Sequence, residues 1–389
     1  MKNRFDVFPS DPDTDMATVE HNEQLQRRAH YERLKKVTTG ALGTLAVGAS
    51  IVFSYTERDI RLGKSEVADS HSSLHLVYEN DDPKLDGVAT IVATGLGTRN
   101  PFETATVLSA HQQMGDVYAL EYSNKDINVA ELTNTVVEGI KDENIDTLVF
   151  DGYSAGGPIE LAIAANIHKD NPDISVGAVI LNSSPIGEHS ITSESQRAGD
   201  MLSSIINIYP DIVYSEAWRA LAELGARHDR YFSSHELTLD VSDLKKEAIE
   251  IYHTKIANEE AASASLIVSQ YGFLETYGVE QSLQTLSEDY HDKSEPSIFY
   301  TRSNDPESDR VVDVDKSRDN FIELTREYDL RAQVIYINAG HANPGERPTE
   351  YNDMFASKIQ PRIERQLDRK KDDAIIIAQG ELLDTIGEN

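Results

Sequence analysis

A serine hydroxyl is a usable nucleophile near neutral pH only when a base takes its proton and an acid orients that base. The chain offers one serine in the setting such chemistry needs. Gly152-Tyr153-Ser154-Ala155-Gly156 is a G-x-S-x-G pentapeptide lying between the apolar run Thr147-Leu148-Val149-Phe150-Asp151 and the helical stretch Pro158–His168. A turn that tight from strand to helix leaves no room for side chains two residues before and two after the serine, so glycine is wanted at both places. It also lifts the hydroxyl clear and aims the helix N-terminus at the reacting carbonyl.

The base must be a histidine placed by a loop. There are 12 histidines, and position separates them. His341 sits in Ile337-Asn338-Ala339-Gly340-His341-Ala342-Asn343-Pro344, among small residues directly after the last clear strand pattern. For the acid, the loop after the preceding strand reads Arg302-Ser303-Asn304-Asp305-Pro306-Glu307-Ser308-Asp309-Arg310-Val311-Val312-Asp313. Asp305 lies at a short distance from the strand, in an Asn-Asp-Pro sequence that is equally a turn signal. Asp309 precedes Val311-Val312, which can pin the loop to the core and keep water from the carboxylate. Asp309 is preferred over Asp305, and Glu307 and Asp313 are minor candidates. An oxyanion needs two preorganised N–H donors. The backbone of Ala155 supplies one; Leu96, in Thr94-Gly95-Leu96-Gly97 after the strand Ala89–Ala93, is the first choice for the other.

These residues need a frame of alternating strands and helices. Strand patterns at Leu74–Tyr78, Ala89–Ala93, Val117–Glu121, Thr147–Asp151, Val176–Leu181, Ser297–Thr301 and Gln333–Ile337 alternate with helical stretches. That is the pattern of a mostly parallel, doubly wound sheet. Helices are expected from Pro101 to about Met114, over Val129–Lys141 and over about Glu350–Lys370. The alternation is interrupted over 187–295, which reads as helices such as Gln196–Ile208, Tyr214–Gly225 and Val241–Ser269.

With its strand–Ser154–helix turn, glycine-bearing loop at Leu96, acid loop and His341 loop in that order, the chain resembles the α/β-hydrolase fold superfamily over about residues 72–370. The resemblance implies an α/β core of 72–186 and 296–370, a helical cap at 187–295 that shapes the substrate pocket, and a Ser-His-Asp triad. One departure is Thr94-Gly95 where many members carry His-Gly. The donor there is a main-chain N–H, so the change leaves the chemistry possible.

The segments outside that core have their own readings. Residues 1–36 are polar and are expected to be disordered. Asp11, Asp13 and Asp15 alternate like a calcium loop, but Met16 stands where glycine is needed and Asn22 where the bidentate acid belongs. Val37–Tyr55 is 19 residues without a charge, about 28 Å long as a helix. Five basic residues lie just before it, Arg27, Arg28, Arg33, Lys35 and Lys36, against Arg58, Arg61 and Lys64 after it. The expectation is a single membrane anchor with the C-terminal part outside, then a linker at 56–71, and at the other end an acidic tail at 371–389. A cleaved signal peptide and a buried helix are the alternatives for 37–55.

Composition excludes other classes of function. With 67 acidic against 36 basic residues and a net charge of −31, the surface is wrong for nucleic acid. The absence of Cys removes disulfides, thiolate catalysis and cysteine metal sites. No metal or other cofactor is expected. The reading is a membrane-anchored serine esterase or lipase-like enzyme acting on a small or lipidic acyl substrate. Amide hydrolysis by the same triad, or a non-catalytic binding module of the same fold, are the alternatives.

Overall fold

Apolar runs such as Val88–Ala93 and Leu148–Phe150 need cover on both faces, and a sheet sandwiched between two helical layers supplies it. In the computed structural model, residues 59–368 are described apart from short breaks, among them 200–205, 234–237 and 289–294. The strands are β1 (Ser73–Tyr78), β2 (Val88–Ala93), β3 (Asp116–Glu121), β4 (Thr147–Tyr153) and β5 (Ser175–Asn182), then a small hairpin of β6 (Phe232–Ser233) and β7 (Thr238–Leu239), and finally β8 (Ser297–Ser303) and β9 (Ala332–Ile337). Seven of them form one sheet in the order β1-β3-β2-β4-β5-β8-β9. Every neighbouring pair is parallel except β1 with β3.

The side chains of each central strand alternate between two cores. Ile91, Phe150, Val179 and Leu181 pack under one helical layer, and Val92, Val149, Ala178 and Ile180 under the other. The first layer contains α3 (Val129–Ile140) and α4 (Gly156–Asp170), and the second α2 (Phe102–Thr106) and α10 (Pro348–Met354). α10 runs on through a π-helical turn at Phe355–Ile359 and remains helical to residue 368. The parallel strands end side by side, with Ala93 opposite Gly152, Tyr153 opposite Asn182, and Ser303 opposite Ile337. That C-terminal edge is where open α/β sheets place their ligands.

Several expectations need adjustment. The linker expected at 56–71 is helical over 59–69, here α1. Its Ile60 and Val67, seven residues apart, are 6% and 8% exposed. The helix also grips α5 (Glu216–Ala226) and the turn before it: Ser215 donates to Asp59 at 2.6 Å, and Lys64 pairs with Asp211 at 2.7 Å. Two buried apolar positions among so many charges give too weak a periodicity to read from the sequence.

The segment read as one helix over Val241–Ser269 is two, α6 (Val241–Ile251) and α7 (Ala264–Thr276), separated by a π turn at Tyr252–Ile256 and a loop. A further helix, α8 (Val279–Ser287), follows. Within the stretch 187–295 expected as a cap, these last two helices pack on the sheet. Ala262, Leu266, Leu283 and Leu286 are fully buried in the same cluster as β2, β4 and β5, so α7 and α8 belong to the layer that covers the sheet. The stretch from Pro101 to Met114 is α2 and a separate 3-10 turn, not one helix. The helix expected at Gln196–Ile208 falls largely outside the described residues, as do the anchor at 37–55, the polar segment 1–36 and the tail 371–389. Among the described residues no helix is long and apolar enough to cross a membrane.

Candidate active site

The pentapeptide makes the sharp turn its glycines imply. Ser154 has φ +54°, a left-handed conformation that strains any residue with a side chain. A Cβ on Gly152 would stand 2.4 Å from Gly157 Cα, and one on Gly156 would stand 2.7 Å from Ala93 O. The two glycines thus serve different approaches. Gly152 lets α4 fold back over its own strand, and Gly156 lets α4 lie against the end of β2. Gly95 completes the contact: a Cβ there would meet Ala155 N at 2.7 Å and Ser154 Cβ at 2.8 Å. The loop carrying Leu96 therefore rests directly on the turn carrying Ser154. Ala155, at the N-cap of α4, is 1% exposed and brings no capping side chain to the helix start, where Gly157 N donates to Ser154 O at 3.1 Å.

Three side chains from separate loops meet in one hydrogen-bonded line. Ser154 Oγ lies 2.8 Å from His341 Nε2, and His341 Nδ1 lies 2.9 Å from Asp309 Oδ2. The other carboxylate oxygen of Asp309 accepts from the backbone N–H groups of Val311 at 3.0 Å and Val312 at 2.9 Å. Its side chain is fully shielded from water, while that of His341 is 26% exposed. Three side chains in series, with the imidazole partly open to solvent, can take a proton from the serine and return it. Of the pinning residues expected beside the acid, Val312 is buried and Val311 is exposed. Val312 also forms a β-bridge with Ile191, and Val311 O accepts from Thr192 N at 3.0 Å.

The other acid candidates lie elsewhere. Asp305 caps the 3-10 turn Pro306–Ser308 by accepting from Glu307 N at 3.1 Å. Glu307 is exposed on that turn. Asp313 caps α9 (Val314–Glu327), accepting from Lys316 N at 3.1 Å. Among the described residues no group of three His, Asp or Glu side chains converges as a metal set.

A second polar cluster, which the sequence reading did not single out, supports the turn from inside. Asp151, two residues before Gly152's neighbour Tyr153, accepts from Tyr153 Oη at 2.7 Å and from Asn182 Nδ2 at 2.7 Å, and Asn182 Oδ1 accepts from Thr301 Oγ1 at 2.6 Å. His111 Nε2 comes within 2.8 Å of Asp151 Oδ2, too poorly aligned to count as a hydrogen bond, and its ring stacks on Phe355 at 3.7 Å. The strand β4 is thus pinned on its inner side to β5, β8 and the turn after α2. An aspartate closing an otherwise apolar buried strand was the available signal.

Glu160, one turn into α4, is fully buried and neither carboxylate oxygen finds a partner. Burial, then the Asp151 charge, hold its carboxyl well above the usual carboxylate range. The phenols of Tyr122 and Tyr153 are likewise pushed up, chiefly by burial, with Glu160 contributing. The folded state therefore keeps a proton on Glu160 that the unfolded chain releases above about pH 4.3. Stability from this group is complete below that pH and declines as pH rises toward the folded value. Replacing Glu160 with Gln should flatten that decline. In urea unfolding from pH 5 to 8, the variant should gain on the parent with rising pH, by at most about 1.4 kcal/mol per pH unit. A gap that stays constant with pH would show that Glu160 titrates alike in both states.

No family model matches the chain, and no curated protein matches it. Solved structures do. A carboxylesterase from the thaumarchaeon Nitrososphaera gargenis aligns over 76% of this chain and 97% of its own at 14% identity, with a TM-score of 0.48. A monoacylglycerol lipase from Paleococcus ferrophilus aligns over 76% and 99% at 11% identity and 0.45. An esterase from Rhodococcus sp. ECU1013 aligns over 75% and 94% at 14% identity and 0.45. Likeness at this distance gives no residue its role. What stands on this chain's own geometry is the architecture: a mostly parallel sheet, a serine in the strand-to-helix turn after β4, and an acid and a histidine on later strand ends in that chain order, the arrangement of the α/β-hydrolase fold.

Proposed function

We propose that the chain is a serine hydrolase that cleaves carboxylic esters through an acyl-enzyme, with Ser154 as nucleophile, His341 as base and Asp309 as the acid that orients it. The observation that carries this reading is the unbroken line from Ser154 Oγ through His341 to the buried Asp309 carboxylate. Ser154 Oγ attacks the ester carbonyl carbon while His341 Nε2 takes its proton. The resulting oxyanion is held by the backbone N–H groups of Ala155 and Leu96. The carbonyl–alkoxide bond then breaks, His341 hands its proton to the leaving alcohol, and the acyl group stays on Ser154. Water, deprotonated by the same imidazole, repeats the sequence and frees the carboxylic acid. Asp309 keeps the Nδ1 proton in place, so that Nε2 faces the serine as an acceptor.

The test is covalent labelling. A fluorophosphonate should modify the native protein on the peptide containing Ser154, and the same preparation should hydrolyse p-nitrophenyl butyrate. A folded protein that takes no label and turns over no p-nitrophenyl ester would sink the proposal.

The membrane anchor at 37–55 is part of the proposal and rests on its uncharged sequence alone. Full-length protein should sediment with membranes, resist extraction by high salt and be released by detergent. Recovery in the soluble fraction without detergent would remove the anchor and leave the hydrolase reading intact.

A further inference from the structure

The loop that carries Leu96 is held by a side chain with no part in the proton line. Gln270, in the middle of α7, is completely buried. Its carbonyl oxygen accepts from Gly97 N at 3.1 Å, and its amide nitrogen donates to Gly95 O at 3.3 Å and Thr98 O at 3.2 Å. One side chain therefore satisfies three backbone groups within four consecutive residues.

The contact to Gly95 O has a geometric consequence. Gly95 C=O and Leu96 N–H belong to one peptide unit, and in a planar trans peptide they point in opposite directions. Drawing the carbonyl toward Gln270 turns the Leu96 N–H away from it. Gly95 itself lies against Ser154 and Ala155, so the peptide being oriented borders the nucleophile. Without the glutamine, the Gly95 carbonyl keeps its turn bond from Thr98 N at 3.2 Å. The Thr98 carbonyl and the Gly97 N–H, however, lose a partner that the buried site supplies.

α7 is a firm mount for that side chain. Ser263 caps it by accepting from Leu266 N at 3.1 Å, and Ser263 Oγ donates to Asn124 O at 2.9 Å. Ser265 Oγ donates to Lys125 O at 2.9 Å, and Ser269 Oγ accepts from Ile127 N at 2.8 Å. The segment just before α7 is stitched to the far side of the same loop: Ala262 N donates to Gly97 O at 3.1 Å, and Arg99 N to Glu260 O at 2.7 Å. At the loop's start, Tyr122 Oη donates to Thr94 O at 3.1 Å.

We propose that Gln270 is the positioning residue of the oxyanion loop: its three hydrogen bonds to Gly95, Gly97 and Thr98 fix the peptide whose Leu96 N–H receives the negative charge. This inference rests on the serine-hydrolase reading, and it assigns to a helix of the layer that covers the sheet a share in the rate of the chemical step.

The experiment uses the full-length protein and the variants Gln270→Met and Gln270→Glu. Methionine keeps length and volume and removes all three bonds. Glutamate keeps the acceptor for Gly97 N and, once protonated in that buried site, can donate to only one of the two carbonyls. Active sites are titrated by fluorophosphonate run to completion, so that partly unfolded material does not enter the rates. For each variant, kcat per titrated site with p-nitrophenyl butyrate should fall about 100-fold with KM within about threefold, because a misplaced donor weakens the transition state and not the ground state. The inhibition constant of phenylboronic acid, whose serine adduct puts an anionic oxygen in the same place, should rise by a similar factor. A loss of packing alone would lower the melting temperature without moving kcat per site or boronate affinity. That result, or rates per site within about twofold of the parent, would overturn the proposal. Native protein that never titrates would instead overturn the hydrolase reading, and this inference with it.

Discussion

Alanine at position 154 is expected to lower kcat for p-nitrophenyl butyrate by about a million-fold, to the level that binding and backbone donors supply without a nucleophile. KM should change little, because the hydroxyl contributes to the reacting geometry more than to ground-state binding. Ala155 N, Leu96 N and the start of α4 remain in place in that variant. The residue at 154 must still adopt φ near +54°, and alanine accepts that no more easily than serine, so the melting temperature should stay close to the parent's. Fluorophosphonate labelling should vanish together with turnover. Hydrolysis and labelling that persist in Ser154→Ala would mean that another side chain carries the chemistry.

The second large effect separates the two acids. Asp309→Asn should reduce kcat by about 10,000-fold, while Asp305→Asn should leave it within about twofold. An asparagine at 309 can still accept from Val311 N and Val312 N. Its amide then faces His341 Nδ1 as a donor, which forces the imidazole proton onto Nε2. In that tautomer the ring donates toward Ser154 and cannot take its proton. At Asp305 the same substitution keeps an acceptor for Glu307 N in an exposed 3-10 turn, so nothing in the proton line moves. Steady-state kinetics of the two purified variants decide it. Equal losses, or a larger loss at 305, would reverse the assignment.

The contrast between these acids shows what could and could not be read before the structure. Ser154 was legible because the turn needs glycines at fixed offsets between a buried strand and a helix, a constraint local to eleven or so residues. His341 was legible because a loop that must carry a ring over the strand ends is built of small residues. For the acid the sequence favoured Asp309 over Asp305 without deciding between them. Asp305 and Asp309 differ in what lies above them, and Asp309 is covered through Ile191 and Thr192, which are more than a hundred residues away. Gln270 was invisible for the same reason. A glutamine in a helix ordinarily faces water, and only the crossing of α7 over the end of β2 turns it inward. The strands were readable because continuous β-branched runs carry their own signal. The helices over Val129–Ile140 and 348–368 were readable too, but the breaks after Thr106 and at Tyr252–Ile256 were not, since no Gly or Pro marks them. That α7 and α8 cover the sheet was not legible, because an apolar helix face does not tell whether it packs on a sheet or on other helices.

The two seams that join the inserted segment to the sheet divide the labour of inheritance. One seam pairs Ile191 with Val312 beside the acid, and the other pairs Thr98 with Ala261 beside the oxyanion loop. Between them, residues 193–257 are tied to the mount of Gln270: the turn Pro210–Tyr214 packs on α7, and Gly199 lies against Tyr271. α1 adds a further tie, because it holds Asp211 and Ser215 from a position far earlier in the chain. A graft that brings in a new pocket must therefore carry 59–69 and 193–257 together and keep the face of α7 that they pack on. Divergence among relatives of this fold should be concentrated in that pair, with the seams as its fixed borders.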